Sequence, residues 1–274
     1  MVLRLLLFGL LALGLAACSP NNITEDNSLK KYFDENSLTG CFGLFDNGKG
    51  HFIIYNPVRF SDSTYLPAST FKIVNSLIGV EMGIVKDSST VLPWDSVQRS
   101  RTQCNRAMSM NDAFRISCPN WYQELARRIG KDSMQSWLDT LGYARRYDTF
   151  HIKNNLDTFW LDNSAKVTAD EQLGLVKRLY FDQLPFIKRT HGIVRSMMLW
   201  ENNANYRLSY KTGWGTTENN HALGWIVGWI EENKHPYFFV LNVESANKDY
   251  DLSTVRLKML KDILKQLGFM EGRK

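Results

Sequence analysis

A serine and a lysine three residues apart, at the head of an otherwise apolar helix, constrain this chain more than any other feature. The stretch is Ser69-Thr70-Phe71-Lys72, running into Ile73-Val74-Asn75-Ser76-Leu77-Ile78. Phe71, Val74, Leu77 and Ile78 repeat at helical spacing, and Gly83 stands just past Met82. The pattern predicts a mostly buried helix with Ser69 at or just inside its N-terminus. Lys72 then lies one turn on, on the same face. Burying an ammonium is costly, and desolvation lowers its pKa, so an amine held there could take the serine's proton. The positive end of the helix would favour anionic charge nearby. A plainer reading is an N-cap serine beside a lysine whose stem lines apolar surface. This stretch alone favours the plainer reading, and what lies downstream decides between them.

The chain has 274 residues, 44% of them hydrophobic, enough for one sizeable core or two lobes sharing a cleft. Its formal charge of +5 is modest, and no Lys/Arg block forms a phosphate-tracking stripe, which argues against a nucleic-acid partner. The N-terminus reads as a targeting segment: Arg4 is followed by an apolar run from Leu5 to Leu15 and then Ala16-Ala17-Cys18. The run is too short to span a bilayer. It resembles a bacterial lipoprotein signal, so the expectation is a signal peptide over 1–17, lipid on the Cys18 sulfur, and a polar tether over 18–30. Ordinary secretory cleavage near the same place is the alternative. Both export the protein, to the periplasm with a lipid anchor in a membrane on the first reading. Cys41, Cys104 and Cys118 remain, an odd number, so at least one is unpaired within the chain. Cys104 and Cys118 could form a disulfide in an oxidising compartment. No zinc spacing is present, and no metal is expected.

Along the chain, Cys41–Asp46 and His51–Asn56 flank Asn47-Gly48-Lys49-Gly50 and read as a β-hairpin. Ser109-Met110-Asn111-Asp112 has capping-box spacing and opens a short helix. Helices are expected from Trp121 to Gly130, from Asp132 to Gly142, after Thr168-Ala169-Asp170-Glu171, and from Ile187 to Leu199. From Tyr206 the period changes: Tyr206–Gly213, Leu223–Ile230 and Tyr237–Val243 read as sequential antiparallel strands, and Leu252–Leu267 as a closing amphipathic helix. The expected fold is α+β: a central antiparallel sheet from both chain ends, flanked by helices, within one domain over 31–274, with a mostly helical inserted lobe over about 85–200.

Lys211-Thr212-Gly213, followed by Trp214, ends one of those strands. A strand edge ending in glycine lets a ligand approach the backbone. A lone Lys-Thr-Gly is usually a solvated turn, but downstream of Ser-x-x-Lys it belongs to the motif set of penicillin-binding proteins and serine β-lactamases. With Tyr122–Gly130, Phe159-Trp160-Leu161 and Gly224–Trp229, these stretches resemble the class D, or oxacillinase-type, β-lactamases of the penicillin-recognising enzyme family, Phe71 being typical of class D.

That resemblance implies a β-lactamase/transpeptidase-like fold, β-lactam antibiotics as substrates, and roles for particular residues. Ser69 matches the nucleophile. Lys72 matches a lysine carboxylated by CO2 or bicarbonate that acts as general base, and Trp160 the indole that steadies the carbamate. Ser117 matches a proton relay. The backbone N–H groups of Ser69 and Trp214 match the oxyanion hole, while Lys211, Thr212, Gly213, Leu161 and Arg256 match the substrate site. Two motifs depart from the family pattern: Ser117-Cys118-Pro119 stands where Ser-x-Val is usual, and Tyr147-Asp148-Thr149 where Tyr-Gly-Asn is usual. A β-lactam sensor that stays acylated, a D,D-peptidase and a catalytically dead lipoprotein are the competing readings.

Overall fold

The computed structural model describes residues 22–147 and 149–274; the signal segment, Cys18 and Asp148 lie outside the described residues. Seven strands form one sheet in the order β1-β3-β2-β9-β8-β7-β6. They are β1 (Ile23–Glu25), β2 (Thr39–Asp46), β3 (His51–Tyr55), β6 (Leu199–Asn202), β7 (Arg207–Thr216), β8 (Ala222–Glu232) and β9 (His235–Ser245). Two two-residue strands, β4 (Val91–Leu92) and β5 (Met108–Ser109), pair apart from it. The expected hairpin and the three C-terminal strands are all present, and β2 against β9 joins the two ends of the chain.

The sheet is not wholly antiparallel. Ile23–Glu25 runs parallel to Phe52–Ile54. Part of the stretch expected to be a tether therefore belongs to the folded domain, whose first helix, α1 (Lys30–Asp34), follows directly.

The strands of the centre read as near-continuous apolar runs because both faces are covered. Successive residues alternate between two cores. Trp225 and Phe238 face one cluster with Phe71 and Leu173, while Ile226 and Phe239 face another with Leu260 and Ile263. The second core is sealed by α1 and by α9 (Leu252–Gln266).

The remaining helices are α2 (Pro57–Ser61), α3 (Lys72–Glu81), α4 (Met110–Arg115), α5 (Pro119–Ile129), α6 (Lys131–Leu141), α7 (Ala169–Tyr180) and α8 (Lys188–Met198). Their ends follow the expected chemistry. The Ser109 side chain accepts from the Asp112 amide at 3.1 Å. Thr168 and Glu171 form a reciprocal capping box, at 3.1 and 2.8 Å. Gly130 and Gly142 stop α5 and α6 at φ of +83° and +64°. One placement differs. Helix α7, expected within the inserted lobe, packs on the sheet against β2, β8 and β9, so the lobe proper is built around α4, α5 and α6. No helix among the described residues is long and apolar enough to cross a membrane.

Candidate active site

Ser69 lies in a 3₁₀ turn, Ala68–Phe71, that runs into α3 at Lys72. The expected helix thus begins as a tighter turn. The turn is pinned on several sides. The Thr70 hydroxyl donates to the Pro67 carbonyl at 2.6 Å and accepts from the Gln172 amide at 2.6 Å. The Trp225 indole donates to the Leu66 carbonyl at 3.0 Å, tying the turn to β8. Ala68 holds φ of +48°, a left-handed value uncommon for a residue with a Cβ, and its amide donates to the Trp160 carbonyl at 2.9 Å.

Lys72 is fully buried, and its Nζ donates to the Ser69 hydroxyl at 2.7 Å. Its surroundings are aromatic: the ammonium stands 5.3 Å from the Tyr122 ring centroid. Phe71, the preceding residue, stacks on Trp160 at 5.1 Å and meets Phe159 edge-on at 4.9 Å. Among the described residues no carboxylate pairs with Lys72. Burial pushes its amine down to about 7, and the Arg101 charge adds to the shift. The Trp160 indole N–H is buried in the same region and has no hydrogen-bond partner among the described residues.

Ser117 follows the end of α4 with φ of +60°, and its hydroxyl accepts from Lys211 Nζ at 2.6 Å. Lys211 is buried and also donates to the Thr212 carbonyl at 2.9 Å. Burial holds its amine well below the usual lysine range, with Lys72, Arg256 and Arg101 contributing in that order. Strand β6 pairs with β7 only as far as Ser209, so the outer edge of β7 from Lys211 onward has no strand beside it. Gly213 is where β7 passes the nucleophile turn: a Cβ there would stand 3.1 Å from the Pro67 carbonyl oxygen and 3.2 Å from the Thr70 methyl. Arg256, buried on α9, donates to the Gly213 carbonyl, and burial lowers its guanidinium to about 10. The Trp214 side chain is 49% exposed. Leu161 is half-buried and packs against the main core.

Strand β7, expected to end at Gly213, pairs with β8 on to Thr216, so Lys211-Thr212-Gly213 lies in its middle. The structure gathers Ser69, Lys72, Trp160, Ser117, Lys211, Thr212, Gly213 and Arg256 around this open-edged middle of β7. The chain as a whole is similar to known proteins. The family model for the penicillin-binding protein transpeptidase domain matches residues 28–265. Beta-lactamase OXA-48 of Klebsiella pneumoniae is 34% identical over 242 residues, 88% of each chain. The crystal structure of the class D β-lactamase YbXI from Nostoc superposes with a TM-score of 0.82 at 33% identity, covering 88% of this chain and 99% of that one. The chain belongs to the class D β-lactamases. The C-terminal domain of the Bacillus licheniformis BlaR penicillin-receptor also superposes, with a TM-score of 0.82 at 25% identity over 91% of this chain and 98% of that one.

Within this class D β-lactamase, both departures from the usual motifs have a place. Pro119 is the first residue of α5, where a missing N–H costs nothing, and Cys118 is its N-cap. Cys118 is paired with Cys104, their Cα atoms 5.8 Å apart, and Cys41 is free and buried. Tyr147 is 61% exposed, and its hydroxyl donates to the Asp62 carbonyl at 2.5 Å. With Thr149 it lines an outer cavity of about 410 Å³ rather than joining Ser69 and Lys72. Two residues at the site have no role assigned from the sequence, although Tyr122 lies in a stretch that carries the resemblance. Tyr122 forms a wall beside Lys72 and is held by a 2.8 Å bond between its hydroxyl and Ser76. Arg101 comes from a stretch whose sequence carries no periodic signal.

The depressed Lys72 amine has a stability consequence. Below pH 7 the folded chain must carry a buried charge. Between about 7 and the ordinary value of 10.5 only the unfolded chain keeps the proton, so stability rises with pH across that window. In CO2-depleted buffer, Lys72→Met should therefore raise the unfolding free energy by a few kcal/mol, on the order of 1.4 per pH unit of depression, at pH 6 to 7. The gain should shrink as the pH approaches 10.5. Urea denaturation across this range checks it; a variant less stable than the parent, with a flat pH profile, contradicts it.

Proposed function

We propose that this β-lactamase opens the lactam amide through an ester on Ser69, with Lys72 as the base. The observation that carries the reading is the 2.7 Å bond from a buried lysine amine, pushed toward neutrality, to the Ser69 hydroxyl. As Ser69 Oγ bonds the lactam carbonyl carbon, its proton leaves toward Lys72. The backbone N–H groups of Ser69 and Trp214 are the donors for the developing oxyanion. The C–N bond then breaks. Ser117, hydrogen-bonded to Lys211, hands its proton to the leaving nitrogen, and the proton taken from Ser69 makes good that loss. Water later cleaves the ester, giving up its proton on the Lys72 side and returning the hydroxyl to Ser69. Lys211, Thr212, Gly213 and Arg256 bind the substrate carboxylate along the open edge of β7, with Leu161 on the apolar wall.

Only an uncharged amine adds CO2, and Lys72 is held near neutrality in a pocket with a spare indole donor at Trp160. Those two features support carboxylation of Lys72, which would supply an anionic oxygen base in place of the bare amine. Trp160 and the Phe71 ring stacked on it would hold that group in place.

Hydrolysis of a chromogenic cephalosporin is the test. Turnover should rise when bicarbonate is added to CO2-depleted enzyme, and Trp160→Phe, which deletes the indole N–H, should need at least about tenfold more bicarbonate for half-maximal rate. No turnover in either condition would defeat the reading. The similarity to the BlaR receptor domain favours a second reading, a sensor that acylates and stays acylated. Intact mass after mixing with a penicillin separates the two: a transient adduct marks the hydrolase, a lasting one the sensor. D-alanine release from a pentapeptide without β-lactam turnover would mark a peptidase.

Export and a lipid on Cys18 complete the proposal. Labelled palmitate should enter the wild-type chain in cells and fail to enter Cys18→Ser; equal labelling would refute the anchor.

A further inference from the structure

The cleft is lined by basic side chains that make no ion pair among the described residues, and one of them has no part in the mechanism above. Lys72 and Lys211 are depressed by burial and by neighbouring cations, with no acidic group offsetting either effect. Arg256 and Lys211 serve the Lys211–Gly213 stretch of β7. Arg101 stands apart from them, on the Ser117 side of the site. Its guanidinium donates to the Ile116 carbonyl and, at 3.5 Å, to the Ser117 carbonyl. Both acceptors are neutral, and among the described residues no carboxylate lies within ion-pair distance of it. The residue is exposed, its remaining guanidinium N–H groups have no protein partner among the described residues, and its charge is felt at both Lys72 and Lys211.

Arg101 is also held in place. It leads a 3₁₀ turn, Thr102–Cys104, whose last residue is joined to Cys118, next to Ser117. The Asn120 side chain donates to the Cys104 carbonyl at 3.2 Å, and the Cys104 amide to the Arg101 carbonyl at 2.9 Å. Upstream, Arg99 is committed to Asp95 at 2.6 Å and so does not compete for the same role. A fixed, unpaired guanidinium beside a nucleophile's relay residue is a forked anion receptor whose ordering cost is already met.

We propose that Arg101 is a specificity-determining residue that selects β-lactams bearing a second anionic group, a carboxylate or sulfonate, on the acyl side chain. This rests on the β-lactamase reading. The first carboxylate, on the bicyclic nucleus, is served by the Lys211–Gly213 stretch of β7. The second meets Arg101 across Ser117, and a substrate with a neutral side chain leaves Arg101 solvated.

Two penicillins that differ only in a side-chain carboxylate, benzylpenicillin and its α-carboxy analogue, provide the test. The ratio of kcat/KM for the dianion over the monoanion should fall at least about tenfold in Arg101→Gln, mainly through KM. Arg101→Lys, which keeps the charge and loses the fork, should fall between. In the wild type the same ratio should decline as salt is raised. An unchanged ratio in Arg101→Gln overturns the proposal, and so does an equal loss on both substrates, which would mark Arg101 as merely structural. The rate of Ser69 acylation, followed by intact mass, reads the same ratio without turnover. A sensor that never deacylates would thus defeat the hydrolytic reading, while its acylation ratio would still support or overturn the role of Arg101.

Discussion

The site depends on the removal of one lysine from water. An ammonium at 0% exposure with no carboxylate partner is expensive, and the cheapest relief is to lose the proton. The chain arranges this with aromatic walls: Tyr122 beside the amine, and Phe71 stacked on Trp160 behind it. The same desolvation that costs stability turns an ordinary side chain into a base within reach of a hydroxyl. The neighbouring Lys211 is buried in the same way; burial lowers its pKa most, and the Lys72 charge lowers it further.

Holding Ser69 and Lys72 in register requires support from distant parts of the chain. Ala68 sits in the left-handed region, at a cost of about 1 kcal/mol or more, and persists because its amide is claimed by Trp160. Thr70 is clamped between Pro67 and Gln172 of α7, which explains why that helix packs on the sheet rather than in the lobe. Gly213 lets β7 pass close by, and α9 reaches the same point through Arg256. Nucleophile turn, long Trp160 loop, sheet edge and terminal helix therefore converge on a few ångströms, although they lie far apart in sequence.

Much of this could be read from the residues themselves. The N-cap at Ser109, the capping box at Thr168, the glycine stops at Gly130 and Gly142 and the period-two strands are local signals, and local signals survive folding. Ser-x-x-Lys and Lys-Thr-Gly carry the site because their spacing is fixed by one helix turn and one stretch of strand, although that strand runs three residues past Gly213. What escaped detection is non-local. The parallel pairing of Ile23–Glu25 depends on β3, not on its own polar composition. The segment from 143 to 167 has no periodicity, so nothing in it announces that Trp160 will lie against Phe71. Tyr147 looked like a motif residue by counting, yet its hydroxyl bonds to the Asp62 carbonyl at the surface. Arg101 reaches Ser117 only because a cysteine pair draws its loop inward.

The central claim is that Lys72 is a neutral amine at working pH. Its titration can be followed directly by NMR of the chain carrying lysine labelled with 13C at Cε, in CO2-free buffer, with Lys72→Met used to assign the signal. The account predicts a Lys72 resonance that titrates near pH 7, well apart from the exposed lysines. A resonance that titrates with the others near 10.5 would contradict it.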